Sequence, residues 1–139
     1  MPGRILGIDL GDRWVGLALS DPLGLTAQPL GVIDLNREEL VERLGALVDT
    51  HGVAELVVGL PRNMDGSVGP KANEALALAG RLKEEFELPV STWDERLSTA
   101  RAERALSQAE VSIPKRKKLV DAVAAQLILQ AFLDSRRQA

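Results

Sequence analysis

The chain has no cysteine and no tyrosine, one histidine, two tryptophans and two phenylalanines. The lack of cysteine excludes disulfides, cysteine nucleophiles and thiolate zinc sites, and agrees with a reducing compartment. Any metal is left with oxygen donors. The aromatics Trp14, Phe86, Trp93 and Phe132 are scattered, so no grouped platform for stacking bases is present. No apolar run is long enough for a bilayer: the longest, 119–133, contains Asp121, Gln126 and Gln130. Near the N-terminus only Arg4 precedes a short apolar stretch that Asp9 interrupts. That pattern fits neither a signal peptide nor a membrane anchor, and a cytoplasmic location is expected. A net charge of −3 argues against a general nucleic-acid coat, though not against a local basic patch.

What is present is the composition of a globular protein, 45% apolar and 27% charged, over a length of 139 residues that suits one compact domain spanning 1–139. Residues 4–10 and 14–19 are β-type runs joined by a turn containing Gly11 and Asp12, the signal of a hairpin. "PLGVID", 29–34, predicts a third strand. Asn36 is placed to cap a first helix, with Glu39 at the capping-box position, a stripe of Leu40, Leu44, Leu47 and Val48, and Gly52 as the stop. "AELVVGLP", 54–61, reads as a strand covered on both faces.

Pro70 then opens a second helix with Leu76, Leu78, Ala79, Leu82 and Phe86 as its stripe. A strand over 89–95, a helix capped by Ser98 and running to about Gln108, and a final helix from about Lys117 to Arg136 complete the chain. The order β-β-β-α-β-α-β-α-α predicts one mixed five-stranded α/β sheet. Its first three strands are antiparallel, its last two parallel, and helices pack on it.

Asp9 closes the first strand and shares a face with Ile5 and Gly7. Gly7 and Gly11 are expected to leave room beside it for a phosphate or hydrated ion, although a turn aspartate alone would account for it. Asp94 and Glu95 end the last strand on opposite faces, so only one can serve a given site. Taking about 100° per residue, Asp121 projects roughly 140° from Gln126 and roughly 180° from Gln130. Those glutamines mark the exposed side of the helix, so Asp121 points inward among Ala124, Ala125 and Ile128. An ionised carboxylate there requires a partner, either an internal Arg or Lys or a divalent cation shared with other carboxylates. An oxygen-only donor set suits Mg²⁺ or Mn²⁺. His51, at a helix end, reads as a solvated cap residue and not a ligand.

Four blocks in order, "GIDLGDRWVGLALSD", "VVGLPRNMDGSVGPKA", "TWDERLST" and "DAVAAQLILQ", make the chain resemble the YqgF family, also called RuvX, of the ribonuclease H-like superfamily. The resemblance implies a ribonuclease H-like fold and makes Asp9, Glu95 and Asp121 the acidic active-site and metal-holding residues. It selects Glu95 over Asp94. It further implies metal-dependent phosphodiester hydrolysis of the two-metal-ion type, with Mg²⁺ or Mn²⁺. The favoured substrate is RNA, the 5′ end of the small-subunit (16S) ribosomal RNA precursor, with four-way DNA junctions as the alternative. In one departure from the family pattern, Trp14 stands where a second basic residue is common.

Nucleic acid brings about one charge per phosphate past an acidic protein, so nearby cations matter. Lys115, Arg116, Lys117 and Lys118 precede Asp121 at a helix N-terminus, where positive charge opposes the macrodipole and phosphate contact would account for it. Arg13, Arg62 and Lys71 are further candidates for backbone contact. No segment announces a dimer interface, leaving monomer or homodimer open. An actin-like or sugar-kinase ATPase shares the opening motif but needs a second domain. A non-catalytic RNA-binding module has no use for Asp121 on a buried face.

Overall fold

The computed structural model describes residues 3–97 and 114–138, with side chains described for 3–97 and 120–137. Strands β1 (Arg4–Leu10), β2 (Trp14–Ser20) and β3 (Ala27–Asp34) form an antiparallel meander, and β4 (Val53–Leu60) and β5 (Val90–Asp94) add in parallel beside β1. The sheet order is β3-β2-β1-β4-β5, the mixed topology expected from the sequence. Helices α1 (Leu40–His51), α2 (Pro70–Phe86) and α3 (Pro114–Gln138) connect or follow the strands. The helix expected from Ser98 to Gln108 lies outside the described residues.

Alternation along the strands divides the core. Leu6 and Ile8 of β1, Val15 and Leu17 of β2, and Leu56 and Val58 of β4 face α1 and α2, where Val41, Leu44, Leu47, Ala72, Ala75, Leu78 and Leu82 meet them. On the opposite face Ile5, Ala18 and Val57 pack against Ala125, Leu129, Phe132 and Leu133 of α3. Asp9 belongs to this second face.

Glycine sets how close α3 comes. A β-carbon built at Gly7 would lie 2.9 Å from Cβ of Leu129, and one at Gly16 would collide with the carbonyl oxygen of Asp121. The room expected at Gly7 is therefore filled by α3 and is not open to a ligand. Gly11 serves the hairpin: its N–H donates to the Trp14 carbonyl at 3.1 Å, and a β-carbon would sit 2.5 Å from that same oxygen.

Three local expectations are corrected. Asn36 does not cap α1, because the Asp34 side chain accepts the Asn36 N–H at 3.0 Å and the Asp34 carbonyl accepts the N–H groups of Arg37 and Glu38, wrapping the turn first. Glu39 becomes the N-cap, accepting from the Glu42 N–H at 2.6 Å. Leu76 is exposed, since the sheet-facing stripe of α2 is Ala72, Ala75, Leu78 and Leu82. Gln126 and Gln130 do not mark a free polar side of α3: Gln126 donates to the Ala27 carbonyl at 3.0 Å, and Gln130 accepts the Ala27 N–H at 2.9 Å. They fasten the helix to β3 by its backbone, and Asp121 is buried all the same.

Gly16→Ala is expected to cost about 2–3 kcal/mol, because the obstructing atom is helix backbone and cannot swing aside. Gly80→Ala in α2, where nothing lies within 4 Å, is expected to gain up to about 1 kcal/mol through helix propensity. Thermal melts of the two variants check the contrast.

Candidate active site

Asp9 stands one residue before the end of β1, and Glu95 opens a short 3₁₀ turn, Glu95–Leu97, directly after β5. Because β1, β4 and β5 run parallel, both carboxylates emerge at the same edge of the sheet. Asp121 comes to them from α3. The three side chains are buried, at 6%, 2% and 8% residue exposure, and all line one pocket of about 200 Å³ together with Asp12, Arg13, Trp14 and Lys71.

Two glycines beside Asp9 let this happen. Gly16, its partner across the β1–β2 pair, carries the backbone of α3 at Asp121. Gly59 follows Val58, the β4 partner of Ile8, and a β-carbon there would lie 3.5 Å from Cγ of Glu95 and 2.8 Å from Cδ1 of Ile128. With no side chain at either position, the helix and the Glu95 side chain reach over the sheet toward Asp9. Neither glycine stood out in the sequence, because each acts through a residue more than thirty positions away.

The site's edge is fixed by ion pairs. Asp94 accepts the Arg96 backbone N–H at 2.9 Å and its guanidinium Nη2 at 2.7 Å. Arg96, its side-chain hydrogen bond foremost, holds the Asp94 carboxyl below the usual range against the opposing effect of desolvation. Arg96 thus neutralises Asp94, two residues before it, and also donates to the Met64 carbonyl at 3.4 Å.

Of the candidate cations, Arg13 and Lys71 line the pocket. Lys71 Nζ lies 3.5 Å from Asp12 Oδ2, with both side chains largely exposed. Arg62 donates to the Gly66 carbonyl at 3.4 Å within its own loop and does not line the pocket. Residues 115–118 occupy the first turns of α3, and their side chains lie outside the described residues. Arg13 forks onto Asp34, with Nε to Oδ1 and Nη2 to Oδ2 both at 3.2 Å, and its guanidinium carbon lies 4.7 Å from the Trp14 ring centroid.

The donors suit a hard cation: three carboxylates on three elements, with neither sulfur nor imidazole among them. Among the described residues no three acidic or histidine side chains form a ready-made ligand cluster. Mg²⁺ does not require one, since it commonly takes one or two carboxylates and completes its shell with water and substrate phosphate.

A family model described as "RuvX: Holliday junction resolvase" matches residues 3–135. A protein of Pelotomaculum thermopropionicum, named as a candidate pre-16S rRNA nuclease, is 53% identical over 134 residues, covering 95% of this chain and 87% of that protein. One of Geobacillus kaustophilus with the same name is 51% identical over 137 residues, covering 96% and 99%. In fold, the chain is similar to Thermus thermophilus RuvC in complex with a Holliday junction substrate (TM-score 0.57, 18% identity, 99% and 97% coverage). It is likewise similar to the yeast mitochondrial Holliday junction resolvase (TM-score 0.58, 14% identity, 99% and 80% coverage).

Asp34 yields a pH prediction. Its carboxyl is held below the ordinary range chiefly by the Arg13 hydrogen bond, with the Asn36 N–H and the Arg13 and Arg37 charges adding and desolvation opposing. A depressed folded pKa stabilises fully above the unfolded value of about 4 and is lost as the pH falls below that through the folded pKa. Asp34→Asn is expected to melt lower than wild type at pH 7, with the gap narrowing as the pH falls from about 4. Paired melting curves across that range test it.

Proposed function

The chain belongs to the RuvX family, described as Holliday junction resolvase, and from that premise we propose that its pocket hydrolyses phosphodiester bonds of structured nucleic acid with a divalent cation, Mg²⁺ or Mn²⁺. One observation carries the reading. Asp9, Glu95 and Asp121 arrive from a strand, a 3₁₀ turn and a helix to line a single pocket, with two cationic side chains beside them. Separate carboxylates buried on three elements and opening onto one space suit a shared divalent cation better than three independent structural roles.

In this reading Asp9, Glu95 and Asp121 hold the metal. The chemistry supplied by bound divalent ions is activation of a water for in-line attack and compensation of charge on the leaving oxygen. The chain's part is to keep the carboxylates immobile, to bound the pocket with Pro61 and Trp14, and to draw the strand in. Arg13 and Lys71 at the pocket, Arg62 in its loop, and Lys115, Arg116, Lys117 and Lys118 ahead of Asp121 are the proposed phosphate contacts.

The favoured substrate is the 16S ribosomal RNA precursor, which the names of relatives at about half identity support, with its 5′ end as the site that the family resemblance implies. The whole chain, 1–139, then acts as one nuclease domain in the cytoplasm. Among the described residues no helix is long and apolar enough to cross a membrane. The family's description supports a second reading, cleavage of four-way DNA, which requires two symmetric cuts and hence a homodimer; the RNA reading is compatible with a monomer.

Labelled 16S precursor and a four-way DNA junction, each incubated with protein and Mg²⁺ or Mn²⁺, distinguish these readings. RNA cleavage that depends on the metal and falls roughly a hundredfold or more in Asp9→Asn, Glu95→Gln and Asp121→Asn is expected. Paired cuts in the junction with intact RNA would transfer the assignment to recombination. RNA binding without cleavage of either substrate would make the protein a binding module.

A further inference from the structure

Asp34 is a buried carboxylate that the nuclease reading does not use. It ends β3, shows 8% exposure, and does not line the pocket. Its acceptors are nonetheless aimed at the pocket wall: both oxygens take the Arg13 fork at 3.2 Å, and Oδ1 also takes the Asn36 N–H at 3.0 Å. The Arg13 carbonyl in turn accepts the Leu35 N–H at 2.8 Å, so the two chain segments are tied through backbone as well.

Arg13 is thereby held from two directions, by the fork on Asp34 and by the Trp14 ring under its guanidinium. Two of its five donors go to Asp34, and the other three remain for a second acceptor. An arginine meant only for a surface ion pair has no need of a buried, amide-anchored partner, and exposed pairs of that kind contribute little. A guanidinium that must meet a phosphate oxygen at a fixed place does need one, because a flexible side chain would otherwise be ordered at the moment of binding.

We propose that Asp34 is a positioning residue for the reaction: it fixes Arg13 at the pocket wall so that the free edge of the guanidinium takes a phosphate of the bound strand beside the three carboxylates. This inference rests on the nuclease reading. It also replaces the loose contact expected for Arg13 with a set geometry, in which Trp14 serves as the backing of Arg13.

Electrostatics separates this role from a bystander's. Removing a negative charge from beside the pocket should, by charge alone, tighten the binding of a polyanion. Loss of positioning should instead slow cleavage. The experiment is a double-mutant cycle on Arg13→Gln and Asp34→Asn, with kcat and KM measured on labelled 16S precursor RNA in Mg²⁺, and melts confirming that every variant is folded at the assay temperature.

The expected result is a kcat loss of about tenfold to a hundredfold in Arg13→Gln. Asp34→Asn should lose a comparable amount without a rise in KM, and the double variant should be no slower than Arg13→Gln alone. Independent, multiplying losses would overturn the proposal, as would an Asp34→Asn enzyme with wild-type kcat. If Asp34→Asn does not fold, Asp34→Glu, which keeps the charge but displaces the fork, enters the same cycle under the same criteria. Should wild type cleave neither the RNA nor the four-way junction, the nuclease reading fails separately. The cycle is then read on RNA affinity at several salt concentrations, where Arg13→Gln is expected to lower the salt slope by about one and uncoupled effects overturn the positioning role.

Discussion

The backbone of α3 rests directly on β2 at Gly16, opposite Asp9, and the arrangement of the pocket depends on that contact. Helices usually pack on sheets through side chains on both surfaces, which hold them well apart. Here a missing side chain on the sheet lets the helix carbonyl at Asp121 descend to it. Gly59 does the equivalent on the β4 side, admitting Ile128 of the helix and the stem of Glu95. The interface of α3 with the sheet has Ile5, Ala18, Val57, Leu129, Phe132 and Leu133 at its apolar centre.

Gathering buried carboxylates has an electrostatic consequence, because like charges close together raise one another's cost of ionisation. The sheet edge is arranged so that other acids are settled by their own partners. Asp94 is committed to Arg96, Asp34 to Arg13 and Arg37, and Glu55 at the far end of β4 to Arg136. Asp9, Glu95 and Asp121 are the buried carboxylates that line the pocket, with the exposed Asp12 at its rim beside Lys71. Lys71, in the first turn of α2, and Arg13, in the hairpin turn, provide positive charge on its walls. In a protein of net charge −3, such local placement would let the proposed polyanionic substrate approach.

Much of the fold was legible in the sequence, because local patterns carry it: the alternating strands, the Gly52 stop, Pro70 at the start of α2, and the order of elements that dictates a mixed sheet. Of the three carboxylates Asp121 stood out as a polar residue in apolar surroundings, Asp9 read equally as a turn aspartate, and only the family resemblance selected Glu95 over Asp94. What was not legible depends on contacts between distant segments. Gly7 seemed to promise space, but the space belongs to Leu129. Gln126 and Gln130 read as an exposed stripe, whereas they bond to the β3 edge about a hundred residues away. Asp34 looked like the end of a strand, and only the hairpin turn folded beside it shows Arg13 on both its oxygens. Glu39 displaced Asn36 as the cap because Asp34 had already taken the turn.

In the proposed function Asp9, Glu95 and Asp121 would act together on one divalent-metal site that the substrate completes. The most direct measurement is Mn²⁺ binding followed by electron paramagnetic resonance, with a non-cleavable strand present, in wild type and in the Asp9→Asn, Glu95→Gln and Asp121→Asn variants. A fall in Mn²⁺ affinity on the order of tenfold or more in each variant, with the strand strengthening binding to wild type, is the predicted result. Wild-type affinity in all three variants would contradict the account and leave the pocket without its metal.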